Sequence, residues 1–166
     1  MLDECAITGT TFGTGFREGQ GQHYEKIEQL DADLSGFTAL CSSLSSSQIA
    51  SSSLRKCYLG PQALALLTDA VKAMAALTRT CLLNNPLGEG VDEIIKVFEE
   101  TPRLRTLCGF EEGVQQIDWK DSGKGAVDVA LLSAELKACR AVAAVDAVVL
   151  KANMITSSKR EQDTYG

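Results

Sequence analysis

The stretch LTRTCLLNNPLGEGV, residues 77–91, sets Leu77, Thr80, Leu82, Asn85 and Leu87 at the first, fourth, sixth, ninth and eleventh positions of an eleven-residue frame. Two other segments fit the same frame without gaps. IASSSLRKCYLGPQA, from residue 49, supplies Ile49, Ser52, Leu54, Cys57 and Leu59, and VDAVVLKANMIT, from residue 145, supplies Val145, Val148, Leu150, Asn153 and Ile155. Ser52 and Thr80 alone depart from an apolar residue where the frame wants one. The first two copies lie 28 residues apart, and both run on into Leu-Gly, at Leu59-Gly60 and Leu87-Gly88. Self-similarity at a fixed period marks a repeat architecture, in which each unit buries its apolar face against the next.

Weaker copies surround these. VQQIDWKDSGKG puts Val114, Ile117 and Trp119 at the strand positions, then Ser122 and Lys124 where Asn and Leu are expected, and IEQLDADLSGF fits loosely through Ile27, Leu30, Ala32, Ser35 and Phe37. Between the copies, PQALALLTDAVKAMAA, VDEIIKVFEETP and AVDVALLSAELKAC carry apolar residues at steps of three and four, as Leu64, Leu67, Val71 and Met74 do, which predicts amphipathic helices. Strand, turn and helix therefore recur as one unit.

Across residues 27–155 this arrangement resembles the leucine-rich repeats of ribonuclease-inhibitor type. The resemblance implies an α/β fold: a short leucine-rich-repeat solenoid with a parallel concave sheet and convex helices. Strands are expected near 52–55, 80–83 and 148–151 as parallel neighbours in one sheet, with helices near 62–75 and 126–139 on one side. Because alternate strand residues face opposite sides, Leu54, Leu82, Trp119 and Leu150 should enter the core, and Ser53, Cys81, Asp118 and Val149 should face outward. Asn85, Asn153 and Cys57 stand where the family uses a side chain to satisfy backbone groups of the bend, a need that any buried turn imposes. The chain divides into a flexible Gly-rich leader (1–23), the repeat domain (24–156) and a polar tail (157–166).

The pattern has one fault. A unit is due near 104, where LRTLCG offers Leu104 and Leu107, yet Val114 opens another match ten residues later. A parallel crossover needs roughly a dozen residues or more. Either a hairpin interrupts the array, or one of the two segments is not a ladder strand; a degenerate repeat that has lost its convex helix is the favoured expectation.

Bulk properties narrow the function. With 166 residues, 45% of them hydrophobic, the chain is long enough for one well-buried core. A net charge of −6 argues against nucleic acid as partner. Apolar runs such as ALALL and AVAAVDAVVL fall short of the roughly 20 residues that span a bilayer, so no membrane span is expected. The six cysteines have no C-x-x-C pair, and the single histidine, His23, is remote from any cysteine group. No zinc site is read, and free thiols in an intracellular, reducing compartment are expected: the cytoplasm, or an organelle if a transit peptide has been removed.

The segment AITGTTFGTG, residues 6–15, has the T-G-x-x-x-G-x-G spacing of a dinucleotide loop, but Gly19 and Gly21 stand where the following helix should begin. A nucleotide-binding oxidoreductase is thus the alternative, and glycine in a leader the preferred reading. Ser42-Ser43 and Ser45–Ser47 lack a nearby histidine, and Glu99-Glu100 and Glu111-Glu112 read as solvated pairs, so no catalytic residues and no cofactor are assigned. The expectation is a non-catalytic protein–protein interaction or scaffold subunit of a larger, multi-subunit assembly. Its partner-binding concave face would carry Arg55, Lys56, Arg79, Asn84, Asp118 and Lys120, with Arg55, Lys56 and Arg79 forming a basic trio for a partner's carboxylates.

Overall fold

The computed structural model describes residues 3–17, 22–153 and 155. Strands β1 (Thr11–Arg17) and β2 (Gln22–Gln29) come first, then helix α1 (Ser35–Ser45). The next elements are β3 (Ser51–Ser53), α2 (Pro61–Ala73), β4 (Arg79–Cys81) and α3 (Val91–Glu100). The order closes with β5 (Gln116–Asp118), α4 (Ala126–Ala138) and β6 (Ala147–Val149). The result is a mixed α/β fold in which the helices pack on one another in chain order, α1 on α2, α2 on α3 and α3 on α4.

The 28-residue spacing of the sequence reappears as a strand register. β3 and β4 are parallel, with Ser51 opposite Arg79 and Ser53 opposite Cys81. Residues 104–108 extend this ladder: Thr106 bridges Arg79 in parallel, Thr80 N donates to Thr106 O at 3.0 Å, and Leu82 N to Leu107 O at 2.9 Å. The expectation of one sheet containing all the strands fails at this point. β5 and β6 are parallel to each other, Gln116 opposite Ala147 and Asp118 opposite Val149, but form a separate two-stranded sheet.

A buried carboxylate explains the break. Glu135 of α4 is 1% exposed, and its Oε1 accepts Leu107 N and Cys108 N, both at 2.6 Å, and the Thr106 hydroxyl at 2.7 Å. The backbone donors that a following strand would need are therefore occupied by a side chain. The short link between 108 and 116 also stops being a paradox, since these segments are not ladder partners and no crossover is required. As the favoured expectation had it, no helix lies between them.

Helix starts are set by carboxylates that the sequence pattern does not display. Pro61 sits in the first turn of α2, where its missing N–H is not needed. Asp31 then accepts Gly60 N at 2.9 Å through Oδ1, and Gln62 N and Ala63 N at 3.0 and 3.1 Å through Oδ2. Asp128 does the same for α4, accepting Gly125 N at 2.9 Å. Asp31, which the loose frame through Leu30 and Ala32 would make an outward charge of a first repeat, is 8% exposed. The loose copy at 27–37 is not a ladder strand: Ile27 lies in β2, antiparallel to β1, and α1 begins at Ser35.

The expected flexible leader is also replaced, because β1 pairs with β2 in a hairpin that crosses the assigned boundary at 23. Thr11, Phe12 and Thr14 suit a pleated strand, and pairing outweighs the looseness of Gly13 and Gly15. Gly9 has a separate role. Its φ is +63°, and a Cβ there would stand 2.7 Å from Asp33 Cβ, so glycine permits a close backbone approach. Residues 3–8 then run beside residues 53–58, with Glu4 N donating to Arg55 O at 2.9 Å and the Thr8 hydroxyl to Tyr58 O at 3.4 Å. The expected polar tail, 157–166, falls outside the described residues.

Leu54, Leu82 and Trp119 are buried in one core cluster, against which Leu150 is partly buried. Asp118 and Val149 are exposed, while Cys81, expected outward, is 9% exposed in the angle between β4 and residues 106–109. Leu82 is fully enclosed. Leu82→Ala should cost about 2–5 kcal/mol through lost transfer energy and the cavity left behind, measured as a lower denaturation midpoint at unchanged m-value.

Candidate functional site

A cavity of about 510 Å³ opens beside the strands. Its walls come from both sheets: Ser51, Arg55 and Arg79 on one side, Asp118, Trp119 and Lys124 on the other, with Gly109 and Glu111 between them. It lies between the two parallel sheets, beside Cys108 and Gly109.

Each charged wall residue is positioned by its neighbours. Arg79 makes a bidentate pair with Glu111 and donates from Nη2 to Gly109 O at 3.2 Å, which ties the 109–112 loop to β4. The Arg79 guanidinium holds the Glu111 carboxyl below its usual range, and Arg79 Nε is buried without a partner. Asp3 accepts Arg55 N at 3.1 Å and the Ser53 hydroxyl. Asp118 accepts Lys120 N at 2.8 Å. Lys124 Nζ donates to Asn84 Oδ1 and lies 5.4 Å from the centroid of the Trp119 ring, which stacks on Phe110 with centroids 6.2 Å apart.

Of the residues expected on a binding face, Arg55, Arg79 and Asp118 meet at this cavity. Lys56 and Asn84 do not. Both adopt positive φ, 55° and 59°, at the bend after the strands, and both line a separate cavity of about 420 Å³ with Tyr58 and Val127. Lys56 pairs there with Glu4 at 3.5 Å. Asn84 is a clasp: its N–H donates to Asp128 Oδ1 at 2.7 Å, and its amide reaches Ser122 O at 3.4 Å. Lys120 is exposed and lines neither cavity. The expected basic trio is therefore a pair, Arg55 and Arg79, and Arg79 is already neutralised.

Lys124 was not singled out by sequence as a site residue, although a signal was present: it stands where the repeat frame wants a leucine, and it is 3% exposed. The carboxyl pairs considered for catalysis have other partners. Glu112 binds Arg105 at 2.9 Å and Glu99 binds Lys137 at 2.8 Å, while the hydroxyls of Ser42, Ser43 and Ser45 donate to carbonyls four residues back in α1. Among the described residues no cluster of three His, Cys, Asp or Glu could hold a metal ion, and no helix is long and apolar enough to cross a membrane. Comparison with protein-family models, curated proteins and solved structures returns no match.

Proposed function

We propose that the chain is a short leucine-rich-repeat solenoid that works as a non-catalytic protein-interaction subunit of a larger assembly, binding its partner at the cavity side of the strands. One observation carries the repeat assignment. Asn85 donates to the carbonyls of Leu82, Leu83 and Leu54 and accepts the N–H of Cys57 and Leu59; Asn153 donates to those of Leu150, Lys151 and Trp119 and accepts that of Lys124. In the eleven-residue frame every partner of Asn153 corresponds to a partner of Asn85, which accepts Cys57 N in addition, so two copies solve the same bend in closely similar ways. Extended repeat surfaces suit protein recognition. Among the described residues β6 pairs with β5 alone, and Val148 and Val149 are 39% and 40% exposed, which supports a place in an assembly, because unpaired strand edges invite partners.

The test is site-directed photo-crosslinking in native extract, with the crosslinker at Ser51 on the cavity rim and at Lys96 on the exposed face of α3 as control. A defined partner should be captured from position 51 and not from 96. Arg55→Glu should abolish that capture without moving the melting temperature, since an exposed charge adds little to folding. Equal capture from both positions, or indifference to Arg55→Glu, would reject the cavity side as the interface.

A further inference from the structure

One wall of the cavity holds a buried cation, Lys124, that no carboxylate among the described residues pairs with. At the frame position of Lys124, the other copies place Leu59 and Leu87, both fully buried in the core. Lys124 is as enclosed as they are, yet among the described residues its Nζ has one neutral oxygen, on Asn84, and no carboxylate at ion-pair distance. Burial lowers the affinity of this amine for its proton, and the neighbouring Arg55 charge acts in the same direction, opposed by Asp128. A buried ammonium with no carboxylate at ion-pair distance is poorly compensated, and an anion that reached it would improve its balance.

The other groups around the cavity point the same way. Its acids are already engaged: Asp3 by Ser53 and Arg55 N, Glu111 by Arg79, and Asp118 by Lys120 N. Two of its three cations are not. Among the described residues the Arg55 guanidinium has no ion pair and Lys124 keeps two N–H donors, while Arg79, paired with Glu111, still has its Nε buried without an acceptor. Arg55 and Lys124 line this one cavity together with Cys81, whose thiol feels the Asp3 carboxylate and both cations.

We propose that Lys124 and Arg55 form an anion subsite in this cavity that takes a carboxylate presented by an acidic segment of the partner protein. The proposal rests on the interaction function above and names the chemistry of its anchor. Lys124 supplies a fixed, desolvated charge held by Asn84 and the Trp119 face, and Arg55 supplies a solvent-side fork that closes on the second carboxylate oxygen. Hydrogen bonds between charged partners of this kind are short and strong.

Trp119, the single tryptophan of the chain, lies against Lys124 and reports on the subsite. The purified protein is titrated at constant ionic strength with the peptide acetyl-Gly-Asp-Glu-Gly-amide, with its Asn-Gln counterpart, and with inorganic phosphate. The acidic peptide should give a saturable change in Trp119 emission that the amide peptide does not. Lys124→Met and Arg55→Gln should each weaken it about tenfold, the loss of one charge-assisted contact, and Lys124→Arg should retain it. Equal responses to the acidic and amide peptides would overturn the proposal. So would unchanged affinity in Arg55→Gln, whose exposed side chain leaves folding intact. Phosphate binding more tightly than the peptide would replace the carboxylate by a phosphorylated side chain. Carboxylate binding with no capture from position 51 would keep the subsite and remove the interaction function; capture that Arg55→Glu abolishes but that Lys124→Met and Arg55→Gln leave intact would do the reverse.

Discussion

Asn85→Ala should destabilise the protein by about 3–5 kcal/mol, because it strips partners from several buried backbone groups at once. Asn85 is 6% exposed, and its Oδ1 accepts Cys57 N at 2.9 Å and Leu59 N at 3.1 Å, while Nδ2 donates to Leu54 O at 2.7 Å and Leu82 O at 2.9 Å. Each buried polar group left unsatisfied costs about 1–3 kcal/mol, and Asn85 serves several of them at once. Asn85→Cys should lose less. The structure already holds a cysteine at the corresponding position, where Cys57 Sγ donates to Arg55 O at 3.5 Å. Asn153→Ala, in a bend that is only partly buried, should fall between them. Chemical denaturation of the three variants gives the order. A loss under about 1 kcal/mol in Asn85→Ala would mean that water serves these donors and that the bend does not depend on the asparagine.

What the sequence disclosed and what it hid divide along physical lines. The apolar frame and the two asparagines were legible because their spacing is local: Leu54, Leu82, Asn85 and Asn153 sit where their offsets require. The helices were legible for the same reason, with α2 at Pro61–Ala73 and α4 at Ala126–Ala138 within two residues of expectation. Long-range polar contacts have no periodicity to betray them. Asp31 reaches α2 across 29–32 residues, Glu135 reaches Leu107 and Cys108 across 28 and 27, and Asn84 meets Lys124 across 40. Each overrode a local inference: Asp31 turned an outward charge into a helix cap, Glu135 split one sheet into two, and Lys124 put a cation in a leucine position. In the N-terminal hairpin, glycine content suggested looseness, while pairing between β1 and β2 depends on a partner strand that composition does not reveal.

Glu135→Ala should cost about 2–5 kcal/mol, since it leaves the buried Leu107 N–H without its acceptor and Cys108 N with the Thr106 hydroxyl alone. Glu135→Gln should behave differently, and pH separates the two. Burial raises the Glu135 carboxyl above its ordinary range, outweighing the bonds from Thr106, Cys108 and Leu107 that favour the charge. Its second oxygen, Oε2, is buried without a hydrogen-bond partner. The folded state therefore binds the Glu135 proton more tightly than the unfolded chain does. Where the folded state holds more protons, stability falls as pH rises. The contribution is fully present below the ordinary carboxylate range and is lost as pH climbs through the raised value of the folded protein. Glutamine keeps one acceptor oxygen for Leu107, Cys108 and Thr106 and has no proton to lose. Glu135→Gln should accordingly flatten this part of the pH profile, matching the wild type in acid and equalling or exceeding it above the raised value. Denaturation midpoints of wild type and Glu135→Gln across the acidic-to-neutral range provide the measurement. Parallel curves for the two proteins would show that Glu135 titrates alike in the folded and unfolded states. The ladder end would then be closed by a fully ionised carboxylate, with the backbone bonds and not burial deciding its charge.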